Sequence, residues 1–100
     1  MPDVSTLEPK AAEVAALLAE MANAKRLLVL CTLLGGEASA GRLAAAVGLT
    51  PGALSQHLAR MRTAGLVTSR RQGQTILYRL ASPAVTAVLA TLHAQFCADL

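Results

Sequence analysis

Residues 40–60 read Ala40-Gly41-Arg42-Leu43-Ala44-Ala45-Ala46-Val47-Gly48-Leu49-Thr50-Pro51-Gly52-Ala53-Leu54-Ser55-Gln56-His57-Leu58-Ala59-Arg60. The stretch predicts two short helices joined by a tight turn. Ser39, just before it, has the side chain of an N-cap, and Leu43, Ala44 and Val47 follow at helical spacing. Gly48 stops the first helix and supplies the backbone freedom the turn needs. Thr50 is set to cap the second helix and Pro51 to open it, because the N–H that proline lacks has no helical partner at that position. Leu54, Leu58 and Met61 form the second helix's inner face, and the small Ala44 lets the two helices approach closely. Thr50, Ser55, Gln56 and His57 then lie at or near the exposed N-terminal half of that helix. Where such a pair meets duplex DNA, that half enters the major groove. The Gln56 amide can pair with adenine, and Ser55 and Thr50 can bond bases or phosphates. The Ala-x-x-x-Gly spacing alone also fits an ordinary helical hairpin, and His57 alone also fits a surface histidine.

Downstream the periodicity changes. Gly65 ends the helix, and Val67-Thr68-Ser69-Arg70-Arg71 and Thr75-Ile76-Leu77-Tyr78-Arg79-Leu80 are β-prone runs flanking a Gln72-Gly73-Gln74 tip. Pro83 opens a last helix with Val85, Val88, Leu89, Leu92 and Phe96 on one side. Upstream, residues 1–7 are expected to be frayed. Glu8-Pro9 opens a first helix, with Glu13 near the positive end of its dipole and Val14, Leu17, Leu18 and Met21 on one face. A second helix starts near Ala24, places Leu27, Leu30, Cys31 and Leu34 on one face, and ends at Gly35-Gly36. The expected architecture over residues 1–100 is one domain, mainly α, with a single β-hairpin before the last helix.

Composition narrows the function. Hydrophobic residues make up 54% of the chain, much of it alanine, and one small core cannot bury all of that surface. Association with a second copy is the expected remedy. The apolar runs are too short for a bilayer span and the N-terminus lacks a basic secretory start, so a cytoplasmic protein is expected. Net charge is +3, but the distribution says more. No acid occurs from residue 38 to residue 98, while Arg42, Arg60, Arg62, Arg70, Arg71 and Arg79 do. One sign over so long a stretch is the footprint of a phosphate-facing surface. Arg70, Arg71 and Arg79 on a hairpin suit a wing that tracks the DNA backbone or minor groove. A module that kept the fold but lost DNA binding would not need those arginines. Tyr78 and Phe96 are the only aromatics, too few for a single-strand stacking platform. No phosphate-cradling glycine loop and no base partner close to either cysteine argue for an enzyme.

Several motifs, in order, resemble the ArsR-type repressors: Lys25-Arg26-Leu27-Leu28, Gly41 through Thr50, Leu54-Ser55-Gln56-His57-Leu58, Ala64-Gly65-Leu66-Val67, Arg70-Arg71-Gln72-Gly73 and Tyr78-Arg79-Leu80. The resemblance spans roughly residues 14–97. It implies a winged helix-turn-helix, dimeric through its first and last helices, that reads a two-fold symmetric operator in double-stranded DNA and releases it on meeting an inducer. By matching position, Ser55, Gln56 and His57 would read the groove, with Arg71 and Gln74 on the wing. Thr50, Arg60 and Arg70 complete the expected DNA-facing set.

The same resemblance bears on the inducer. Many members sense metals through a Cys-Val-Cys motif in the third helix, or through an Asp and several His on the last. Neither occurs in this sequence, so no metal and no other cofactor is expected at those positions. Cys31 on the second helix and Cys97 near the end of the last match instead the family's dithiol branch, the sulfide-responsive and biofilm-associated repressors. This implies redox-sensing by Cys31 and Cys97, which reactive sulfur species or oxidants would join. Two alternatives stay open. Cys31 on an apolar face also reads as a small core residue. His93 and Cys97 are one helical turn apart, and with Cys31 they could ligate zinc or a softer metal.

Overall fold

A computed structural model of the chain describes residues 3–97. Helices α1 (Ala11–Met21), α2 (Ala24–Leu34), α3 (Ala40–Val47) and α4 (Pro51–Thr63) precede a hairpin of β2 (Val67–Gln72) and β3 (Thr75–Leu80), and α5 (Pro83–Phe96) follows. A two-residue strand, β1 (Ala38–Ser39), pairs antiparallel with β3, giving a three-stranded sheet of order β1-β3-β2. The sequence pattern does not disclose β1, because two residues carry no periodicity. It exists because the α2–α3 connection passes beside the outer edge of β3 and shares its ladder.

The helix ends follow the local chemistry. Asn23, Ser39, Thr50 and Ser82 each cap a helix by accepting from the backbone N–H three residues on. Gly48 closes α3 in the left-handed region at φ 68°. The Leu49 N–H then reaches back to the Ala44 carbonyl at 3.0 Å, which turns the chain directly into α4. The hairpin tip is tighter than expected. Gln72 pairs with Thr75, so it belongs to β2, and only Gly73 and Gln74 form the loop. Gly73 has φ 62° at the first central position, which suits a two-residue turn of the II′ kind.

The core lies where α2 meets α3, α4, α5 and the base of the hairpin. Val29, Leu30, Leu43, Leu54, Met61, Leu66, Val85 and Leu89 are fully buried there. The buried face of α2 runs through Arg26, Val29, Leu30 and Leu33, while Leu27, Cys31 and Leu34 flank it half-buried. The face expected from the sequence is therefore rotated toward α3 and α5, both of which pack on α2. The start of the first helix also differs: Glu8–Lys10 form a 3-10 turn and α1 proper begins at Ala11. Residues 1–2 lie outside the described residues, and Asp3 to Leu7 make a turn in which the Leu7 N–H donates to the Val4 carbonyl. Of the apolar face expected on α1, only Met21 is buried; Val14 and Leu18 are 38% and 47% exposed. On α5 the outer residues Val88 and Phe96 are likewise exposed. Among the described residues no helix is long and apolar enough to cross a membrane.

Candidate nucleic-acid interface and thiol pair

Helix α4 holds its inner face, Leu54, Leu58 and Met61, against the core, which leaves the opposite face to solvent. Ser55 and Gln56 are exposed on that face, and His57 is half-buried beside it. Thr50 is exposed at the N-cap, where its Oγ1 accepts from the Ala53 N–H at 3.2 Å. The hydroxyl hydrogen is not used by that bond, so Thr50 can still donate outward. Gln74 is exposed at the hairpin tip, and Arg71 folds its Nε onto the Gly73 carbonyl at 3.2 Å, which holds the guanidinium at the tip.

Two of the expected DNA-facing arginines meet carboxylates of this chain. Arg60 Nε donates to Glu20 Oε2 at 2.6 Å, joining α4 to α1. Arg70 donates through Nε and Nη2 to both oxygens of Glu37, each at 2.8 Å, joining the wing to the α2–β1 loop. The partners are 40 and 33 positions apart, so the acid-free arginine stretch is partly neutralised in space by residues outside it. The hydrogen bond from Arg60 holds the Glu20 carboxyl below the usual carboxylate range, and the bond from Arg70 does the same for Glu37. Arg79 adds a weaker attraction on Glu37. Arg42, Arg62 and Arg79 are exposed.

Two further contacts, unseen from sequence, tie the start of α2 to this surface. Lys25 Nζ donates to the Val47 carbonyl at 2.6 Å, capping the C-terminus of α3. Arg26 is buried, and its Nε donates to the Glu20 carbonyl at 2.6 Å. Both residues stand in the quoted Lys25-Arg26-Leu27-Leu28 motif, but only their tertiary placement reveals what they hold.

Cys31 and Cys97 are brought together. Helices α2 and α5 pack side by side, and both cysteines line one recess of about 320 Å³ between them, with Leu27, Leu28, Leu92, His93 and Phe96. Both are half-buried free cysteines. Burial pushes the Cys31 thiol up, and the nearby charge of Cys97 pushes it the same way. The Cys97 N–H donates to the His93 carbonyl at 2.8 Å, so the second thiol sits on the final turn of α5. His93 shares the recess. Yet among the described residues no three His, Cys, Asp or Glu side chains are grouped so as to hold a metal ion.

A family model described as bacterial regulatory protein, arsR family, matches residues 23–69, from the N-cap of α2 into β2. The HTH-type transcriptional regulator YgaV of Escherichia coli is 47% identical, over 97% of this chain and 99% of its own length. The chain belongs to the arsR family of bacterial regulatory proteins. The family's winged helix-turn-helix is seen in solved relatives. The transcriptional repressor BigR from Xylella fastidiosa superposes with a TM-score of 0.87 at 35% identity, over 96% of this chain and 98% of that one. The homodimeric winged helix-turn-helix DNA-binding domain Mb0332 from Mycobacterium bovis does so with 0.77 at 30% identity, over 99% and 88%. In that frame α3 and α4 are the helix-turn-helix of this arsR-family chain, and β2–β3 is its wing. Its relatives are transcriptional regulators, not enzymes.

Proposed function

We propose that this arsR-family chain is a cytoplasmic, homodimeric repressor of one domain, which binds a two-fold symmetric operator when reduced. Reactive sulfur species or oxidants release it by linking Cys31 to Cys97 within one subunit. The observation that carries the reading is the shared recess: two cysteines far apart in sequence, on two packed helices, line one cavity. Repression accords with the transcriptional repressor BigR, and a homodimer with the homodimeric domain Mb0332. Dimerisation through α1 and α5 accounts for Val14, Leu18, Val88 and Phe96, which otherwise leave apolar side chains in water.

The groove-reading set is Ser55, Gln56 and His57, with Thr50 at the helix start and Arg60 at its far end. Arg70, Arg71 and Gln74 serve on the wing. The chemistry balances with a persulfide as oxidant. A cysteine thiolate takes the outer sulfur of a persulfide and releases a thiol. The second thiolate attacks the sulfur of the new cysteine persulfide that is bonded to the protein, forming the disulfide and expelling hydrosulfide. The link constrains α5 against α2. Because α5 would join the two subunits, a small rotation there changes the spacing of the two α4 helices. That spacing must match half-sites about 34 Å apart. A hundredfold loss of affinity needs only about 2.7 kcal/mol of coupling.

Intact mass before and after inorganic polysulfide treatment, with binding to an operator selected from random duplexes, tests the reading. Loss of two hydrogens or gain of bridging sulfur, abolished in Cys31→Ser and in Cys97→Ser and accompanied by DNA release, is the expected result. Unchanged mass, with binding altered by zinc instead, would overturn the thiol switch.

A further inference from the structure

The α2–α5 recess carries more than two thiols. Its other walls are the side chains of Leu27, Leu28, Leu92 and Phe96, and among the described residues His93 is the sole lining group besides the cysteines that can bear charge. No lysine or arginine lines it, although the chain has nine of them. At about 320 Å³ it is at the small end of ligand cavities. The raised Cys31 thiol reports the same low polarity from the side of the protein. A reagent that carries a carboxylate or sulfonate would exchange part of its water there for apolar walls, with no cationic side chain among the described residues to replace it.

From this the geometry points to the class of inducer: sulfur donors whose organic part is uncharged and apolar, such as alkyl persulfides and dialkyl polysulfides, in preference to peptide persulfides that carry carboxylates. The inference rests on the dithiol reading and adds to it a selection by charge. Leu92 and Phe96 on α5, with Leu27 and Leu28 on α2, are the specificity-determining walls. A second copy seated on α5 would remove more water and sharpen the discrimination.

Methanethiosulfonates make the test clean, because one electrophile can carry different substituents. The attacking thiolate displaces methanesulfinate and becomes a mixed disulfide. The second cysteine then displaces the substituent as its thiol and closes the Cys31–Cys97 bond. The reduced full chain is treated with propyl methanethiosulfonate and with the sulfonatoethyl reagent, and each rate is divided by that of a small free thiol. The neutral reagent is expected to be favoured by about tenfold or more, reflecting the cost of desolvating an anion in an apolar site. Leu28→Lys, at a 50% exposed position on α2 outside the proposed α1–α5 seam, should cut that preference severalfold by placing a cation at the rim. Equal normalised rates, or a preference unmoved by Leu28→Lys, would overturn the charge selection. The dithiol reading fails separately: it is lost if mixed disulfides form with either reagent but never resolve to a Cys31–Cys97 bond.

Discussion

The ammonium of Lys25, in the first turn of α2, donates to the carbonyl of Val47, the last residue of α3, at 2.6 Å. One residue further on, Arg26 holds the carbonyl of Glu20, whose carboxylate in turn holds Arg60 on α4. The start of α2 therefore touches one helix of the helix-turn-helix directly and the other through Glu20. Helix α2 also carries Cys31. A helix that carries a cysteine at one point and bonds to the helix-turn-helix at another is a physical route for coupling under the proposed thiol switch.

Removing the first bond should be costly. A charged hydrogen bond at a partly buried helix end contributes roughly 1.5–3 kcal/mol, so Lys25→Met should lower stability by about 1–2 kcal/mol after allowance for water reaching the freed carbonyl. Urea unfolding should show a lower midpoint with an unchanged slope. An unaltered midpoint would mean that the bond has no net worth.

The turn into α4 predicts a backbone effect. Gly48 has φ 68°, and a Cβ there would come no closer than 3.8 Å to Lys25 Nζ. Space is thus not the obstacle; the left-handed conformation is. Gly48→Ala should destabilise by about 1 kcal/mol or more, and Gly48→Asn by less, since asparagine tolerates that region better. Equal losses for the two variants would point to contacts instead of conformation.

Glu37 restrains the wing. Glu37→Gln should release Arg70 for phosphate and raise non-specific affinity for duplex DNA. The slope of log affinity against log salt should steepen by about 0.9 if one more phosphate is neutralised. Titration at several salt concentrations measures both. A slope identical to that of the unaltered chain would mean that Arg70 does not reach DNA.

The same pair fixes the sign of a pH effect. Arg70 lowers the Glu37 carboxyl in the folded chain. The ion pair's contribution is therefore fully present above the ordinary glutamate pKa and is lost as pH falls through the lowered folded value. The pair is solvent-exposed, so the effect is small. The stability gap between the unaltered chain and Glu37→Gln should be measurable at pH 7 and close in strong acid. A gap that persists there would have some other origin.

On α4, Gln56→Ala removes an exposed amide without touching Leu54, Leu58 or Met61. Specific binding should weaken by about 1–3 kcal/mol, with non-specific affinity and thermal stability unchanged. Unchanged operator affinity would put the base-reading residues elsewhere on the helix.

Much of this protein follows from local sequence alone. Capping side chains, the prolines at Pro51 and Pro83, and the left-handed glycines act over three or four residues. The limits of α2 to α5 and both hairpin strands can therefore be read within a residue or two. The positions of Ser55 and Gln56 on the exposed face of α4 follow from helical period once Leu54, Leu58 and Met61 are assigned inward. The tertiary structure decided what joins distant segments. It supplied β1, which is too short to have a pattern, and turned the buried face of α2 toward Arg26, Val29 and Leu33. It also set Glu20 and Glu37 against arginines that look unopposed along the chain, and gave Cys31 and Cys97 a common apolar recess. Hydrogen bonds, ion pairs and desolvation depend on distance in space, and a linear pattern carries no record of that distance until the helices have packed.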